Sequence, residues 1–227
     1  MLQKRTFFTL AAAALILCSC GGGADYSAMT AEQMFTRSSE IADKGASSYE
    51  HALDILQELQ IRHGFSSYAP LASLKTADIY FADEKFQSAA DQYKRFIADN
   101  PKHPGREHAL LGLSESFYRM KESYTRDQEP CKQAIYWYQS LLSYHPETEH
   151  KDSALEKIGF CNETLAESEL EIGKFYLRRK HYEAARRRFT YVAKNFPQTE
   201  SAAQSTGLLA SLPPEEKDSD ENTRDVR

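Results

Sequence analysis

From about Met29 to Leu212, apolar side chains recur every three or four residues, with charged residues between them. That period is one face of an α-helix, so the pattern predicts an almost continuous run of amphipathic helices. Composition agrees. Valine occurs at only two positions, Val192 and Val226, whereas alanine occurs 27 times. A sheet needs β-branched residues on its pleated faces, and alanine is the best helix former, so the chain is expected to be all-α. The apolar positions also repeat at long range. Ala77-x-x-Tyr80, Phe86-x-x-Ala89, Tyr93, Phe96 and Pro101 return 96 residues later as Gly173-x-x-Tyr176, Tyr182-x-x-Ala185, Phe189, Val192 and Pro197.

The internal spacing of that motif is the spacing of a tetratricopeptide repeat, a helix-turn-helix of about 34 residues. A small residue (Ala77, Gly173, Ala89, Ala185) lets two helices approach. Aromatic knobs (Tyr80, Tyr93, Tyr176, Phe189) fill the spaces between helices. Pro101 and Pro197 end the second helix of each unit. Two further units are degenerate. Tyr49-x-x-Ala52, Leu56 and Leu59 supply an early second helix, with Gly64 where proline is expected. Ala134, Tyr138, Leu141 and Pro146 supply another. Pro101 to Pro146 is 45 residues, which places an insertion of about 11 in the polar stretch 120–130. Pro146 to Pro197 is 51 residues with no proline in 147–182, so that excess of about 17 is expected to lengthen one helix. A last helix over about 199–212 would close the stack. The expected fold is a superhelix of about four and a half units over 29–212, with a concave face left open.

Both ends read differently. Residues 213–227 hold six acids and three bases with almost no apolar side chain, which predicts a disordered acidic tail. Residues 1–19 read as an export signal: Lys4 and Arg5, then the apolar run Leu10 to Leu17, too short to span a membrane. Leu17-Cys18-Ser19-Cys20 followed by Gly21-Gly22-Gly23 resembles a bacterial lipobox, with Cys20 as the lipidated residue and 20–28 as a flexible tether. A plain cleaved signal with incidental cysteines is the alternative. Gly21 stands where aspartate would favour inner-membrane retention, so the resemblance points to the periplasmic face of the outer membrane. The net charge of −5 offers no global attraction for nucleic acid.

A lipobox followed by these units resembles the BamD (YfiO/ComL) family of outer-membrane lipoproteins. The segments that carry the likeness are residues 63–69, 95–104, Arg126-Asp127-Gln128, Leu165-Ala166-Glu167, and Tyr182-x-x-Ala185 with Arg188. The resemblance covers about 30–210. It implies a lipid-anchored periplasmic scaffold of the β-barrel assembly machine. Such a scaffold would bind the barrel insertase through its C-terminal half, sit among other assembly lipoproteins and help receive unfolded barrel precursors. The chain departs from the family where the first unit lacks its proline and where the fifth unit stops short. A general tetratricopeptide adaptor for other cell-envelope machinery is the alternative.

Several residues are candidates for binding. Lys174 to Arg188 holds seven bases, Arg178, Arg187 and Arg188 among them, against one acid, Glu183. It reads either as a partner surface or as a solvated helix face. Arg126 and Asp127 sit in the inserted loop, as a local ion pair or a partner contact. Tyr68, Tyr80 and Tyr93 could grip an extended aromatic-ended peptide or serve as core knobs, with Tyr68 the best binding candidate. Folding the chain about position 147 brings Cys131 near Cys161, as a disulfide or as two buried thiols. Glu163, Glu167 and Glu171 fall on one helix face and read as a solvated stripe. No G-x-S-x-G, phosphate-binding glycine loop or HExxH occurs, and no cysteine–histidine spacing suits a metal, so neither an enzyme nor a cofactor is expected.

Overall fold

The computed structural model describes Tyr26 and residues 28–214. The expected signal segment, Cys20 and the expected acidic tail beyond Pro214 lie outside the described residues. Among those described, every regular element is a helix: α1 (Ala31–Ala42), α2 (Tyr49–Arg62), α3 (Tyr68–Ala82), α4 (Phe86–Asp99), α5 (Arg106–Arg119), α6 (Glu129–Tyr144), α7 (Lys151–Arg178), α8 (Tyr182–Asn195) and α9 (Glu200–Ser211), with a 3-10 turn at Ala46–Ser48. They pair in chain order into four antiparallel hairpins, and α9 packs on α8 and α7 as a half unit. This is the expected all-α superhelix of four and a half units.

The first helix begins with a reciprocal cap. Thr30 Oγ1 accepts from Gln33 N–H at 3.2 Å, and Gln33 Oε1 accepts from Thr30 N–H at 2.9 Å. Met29 and Tyr26 already pack on the first hairpin's core, so the docked chain starts inside the expected 20–28 tether. Hairpin turns obey the 96-residue repeat down to single hydrogen bonds. Lys85 N–H donates to Tyr80 C=O as His181 N–H donates to Tyr176 C=O. The turn residue before each, Glu84 (φ 57°) and Lys180 (φ 62°), occupies the left-handed region. That conformation lets the chain reverse within three residues, at a steric cost of roughly 1–2 kcal/mol for a residue with a Cβ.

Small residues do the expected work, with one addition. A Cβ on Gly173 would lie 2.4 Å from the Phe189 ring, so glycine is what seats that ring against α7. A Cβ on Gly112 would likewise lie 2.4 Å from the Tyr93 ring. Tyr93 therefore bridges two units, from α4 onto α5. Gly64 replaces the missing proline by a different route. Its Cα passes so near the Gln60 carbonyl that a Cβ would stand 2.8 Å from the oxygen. The insertion forms the loop 120–128 between α5 and α6, and the proline-free stretch forms the 28-residue helix α7.

Candidate partner-binding site

Tyr176, near the end of α7, sits half-buried against Leu170, Ala185, Phe189 and Leu212. Two clefts open beside it. One, of about 700 Å³, is formed by the α7–α8 turn, the start of α8 and the two prolines after α9, and includes Lys180, His181, Tyr182, Arg187 and Pro213. The other, of about 500 Å³, lies between the inserted loop and α7, and includes Tyr124, Arg126, Ile172 and Phe175. The fold thus brings two candidates more than fifty residues apart, Arg126 and the α7–α8 arginines, to opposite sides of one tyrosine. Ile172 is 36% and Phe175 43% exposed, so the second cleft has an apolar floor open to solvent.

The basic run divides into engaged and open charges. Arg188 Nη1 donates to Glu169 Oε2 at 2.6 Å, which fastens α8 to α7. Lys174 Nζ donates to Glu171 at 2.8 Å and to Gln204 Oε1 at 3.4 Å. Arg186 donates to the Pro213 carbonyl and lies 3.7 Å from Glu183. Arg179 stacks on the Phe175 ring, 4.6 Å from its centroid. Arg178 and Arg187 are exposed and have no hydrogen bond or ion pair among the described residues. These two, with Lys180, form the open electropositive face. Guanidinium groups there can take a carboxylate in planar two-point contact, and Tyr176 and Tyr182 supply apolar ring surface alongside.

Arg126 and Asp127 do not pair with each other. Arg126 Nη1 lies 3.4 Å from Glu122 Oε2 within the loop. Asp127 Oδ1 accepts from Glu129 N–H at 2.9 Å, tying the loop to the first turn of α6. The loop is therefore anchored by a backbone cap, and an exposed surface pair holds Arg126, worth at most about 1 kcal/mol. That leaves the Arg126 guanidinium available at the cleft's edge.

The family model for an outer membrane lipoprotein, YfiO, matches residues 27–212, from the docked N-terminal segment to the end of α9. The chain belongs to the YfiO family. Three relatives are each an outer membrane protein assembly factor BamD. That of Caulobacter vibrioides is 26% identical over 204 residues, covering 87% of this chain and 66% of its own. That of Haemophilus influenzae is 24% identical over 223 residues, covering 92% and 83%. That of Neisseria gonorrhoeae is 24% identical over 211 residues, covering 86% and 78%. This YfiO-family chain thus spans just under two thirds of the Caulobacter protein's length.

The remaining candidates separate by burial. Tyr93 is 2% exposed, and its hydroxyl donates to Asp78 Oδ1 at 2.6 Å. It is a core knob and cannot line a peptide groove, because its ring is enclosed by α5. Tyr80 is half-buried in the same core. Tyr68 is the first residue of α3 and stays half-open beside Phe35, with ring centroids 5.8 Å apart. Cys131 and Cys161 meet as free, buried thiols. Among the described residues, no three His, Cys, Asp or Glu side chains group as a metal site, and no helix is long and apolar enough to cross a membrane.

The glutamate stripe is corrected at two of its positions. Glu163 accepts from Glu200 N–H at 2.7 Å and from Ser201 N–H at 3.0 Å, capping α9 from α7. Glu171 accepts from Lys174. Sequence reasoning missed Glu163 because its partners are backbone amides of a distant helix. It also missed the Ile172/Phe175 floor, whose only sequence sign is an i, i+3 apolar pair among the acids and bases of α7.

Proposed function

We propose that this YfiO-family chain is a lipid-anchored scaffold on the periplasmic face of the outer membrane, working in the assembly of β-barrel proteins. The observation that carries the reading is that the family match runs across all four and a half hairpins and that the relatives sharing it are outer membrane protein assembly factors. Anchoring would come from Cys20. The face around Tyr176, with Arg178, Arg187 and Arg126, would hold an acidic segment of the barrel insertase. Arg188 would support that face from behind through Glu169. The first two hairpins, with Tyr68 at their edge and Tyr80 beside it, would receive unfolded precursors. Other assembly lipoproteins would share the scaffold.

Charge supports the C-terminal assignment. The chain is acidic overall, so a local run of open arginines is an exception that an acidic partner would exploit. The test is capture from solubilised envelopes with wild type and an Arg178→Glu/Arg187→Glu variant. The expected result is recovery of the barrel insertase by wild type and its loss in the variant, with an unchanged melting temperature. Recovery of other envelope machinery without the insertase would overturn the reading in favour of a general adaptor.

A further inference from the structure

The mature chain carries two cysteines that the scaffold reading does not use. Cys18 lies in the expected export signal and Cys20 is the proposed lipidation residue, which leaves Cys131 and Cys161 as each other's candidate partners. They come from different helices of adjacent hairpins. Cys131 is the third residue of α6, and Cys161 lies in the first half of α7. Both are enclosed, at 1% and 0% exposure, in one core cluster with Ala134, Tyr138 and Ala154. The two thiols are close enough for each to shift the other's ionisation. Packing of α6 on α7 holds both in that cluster.

We propose that Cys131 and Cys161 are an oxidation site, joining as an intramolecular disulfide that staples the third unit to the fourth. The supply of oxidant rests on the proposed periplasmic location, where disulfides form and persist. The reaction is ordinary thiol–disulfide exchange with a donor disulfide, either a protein carrier or a small molecule. Cys131 is the nucleophile of the first step. The hydrogen bond from Cys161 pulls its pKa below the usual thiol value, helped by the Lys121 ammonium. The start of α6 adds its positive end. The Cys131 thiolate attacks a donor sulfur, breaks the donor S–S bond and forms a mixed disulfide. Cys161 then loses its proton and attacks the Cys131 sulfur, expelling the donor thiolate. The protein pair loses two electrons and two protons, and the donor disulfide gains them, becoming two thiols. Cys131 occupies the first turn of α6, so fraying of that turn is the way in.

The bond would fix α6, and the loop 120–128 ahead of it, against α7. Both walls of the Arg126 cleft would then be covalently linked. The test uses the full, envelope-processed chain in detergent, with oxidised glutathione as the donor. After denaturation and alkylation, peptide mapping reads the state of each cysteine. A linked peptide pair containing Cys131 and Cys161 is expected. It should come with a melting temperature on the order of 10 °C above the dithiothreitol-reduced form, as suits a closed loop of about thirty residues. Cys131→Ser should leave Cys161 as a glutathione adduct or a free thiol, and should abolish the redox shift in melting. Two separate glutathione adducts in wild type, two alkylatable thiols, or a linked pair with no change in melting would each overturn the proposal. The readout is the bond itself, so it stands or falls independently of insertase capture.

Discussion

Helix α7 contains two glycines in opposite surroundings, and that contrast makes a quantitative test of how the hairpins close. At Gly159 a Cβ would meet nothing within 4 Å. At Gly173 it would meet Phe189 Cε1 at 2.4 Å and Cδ1 at 2.7 Å. Ordinary carbon–carbon contact is about 3.5–4.0 Å, so the Phe189 ring must retreat by roughly 1 Å. It has nowhere to go, being 0% exposed and packed against Leu170 and Ala185. Overpacking of this kind costs about 1–3 kcal/mol, and the enclosed ring argues for the upper end. Replacing a mid-helix glycine by alanine gains about 1 kcal/mol of helix propensity at either position. Gly173→Ala should therefore destabilise by about 2 kcal/mol, and Gly159→Ala should stabilise by about 1 kcal/mol. In a chain of this size the two variants should melt roughly 6–12 °C apart, with wild type between them. Helical circular dichroism during heating measures this directly. Adding Phe189→Leu to Gly173→Ala should recover part of the loss, because the clash is with the ring. Gly173→Ala melting at or above wild type would refute the claim that this glycine seats the ring.

Two more perturbations act on fasteners seen only in three dimensions. Glu163→Ala removes the carboxylate that caps α9, which should cost roughly 1.5–3 kcal/mol, the range for hydrogen bonds to a charged group. Amide exchange in α9 should accelerate while α1 to α4 stay unchanged, and Glu163→Gln should do less. His108 Nε2 lies 2.7 Å from Asp78 Oδ1, and the hydrogen bond to that carboxylate raises the His108 pKa, with partial burial opposing. A raised pKa in the folded state means stability that is full below the ordinary histidine value of about 6.5 and is lost as pH rises through the shifted one. Wild-type stability should therefore fall as pH rises above about 6.5, and His108→Gln should flatten that slope in urea titrations at each pH.

The hairpins were legible in the sequence because their packing is local. Ala77 and Gly173 meet the second helix of their own unit, within the 34-residue register a repeat makes visible. The same locality exposed the loop 120–128 and the length of α7, since a missing or displaced proline is read along the chain. What escaped were the polar fasteners and the cross-unit burial that the repeat's apolar positions do not mark. Glu163 caps amides 37 and 38 residues away, and no charge pattern on its own helix announces it. Glu169 neutralises Arg188 across 19 residues, so a run of seven bases looked more open than it is. Tyr93 read as a possible groove residue, because the Gly112 it rests on belongs to the next unit. A side chain's burial is decided by its neighbours in space, and in a stacked array half of those come from a unit that is far away in sequence.

These contacts share one element. Cys161, Glu163, Glu169, Gly173 and Tyr176 all stand on α7, and between them they meet α6, α9, Arg188 and the Phe189 ring of α8, and the two clefts. At 28 residues and 1.5 Å per residue, α7 is a rod of about 42 Å. A uniform array would have placed a turn within that length, and turns are where one unit can tilt on the next. The rod removes that freedom. The third unit's loop, carrying Arg126, and the fourth unit's helices, carrying Arg178 at the end of α7 and Arg187 in α8, are therefore set at a fixed separation before any partner arrives. A partner engaging both would not have to order them, and ordering is a main cost of association. Breaking the rod between Cys161 and Gly173, for instance with Glu167→Pro, should leave the first hairpins folded and each arginine in place. Insertase capture should nevertheless drop as far as in the Arg178→Glu/Arg187→Glu variant. Capture that survives a broken α7 would mean that each cleft binds on its own, and that the length of the helix serves folding alone.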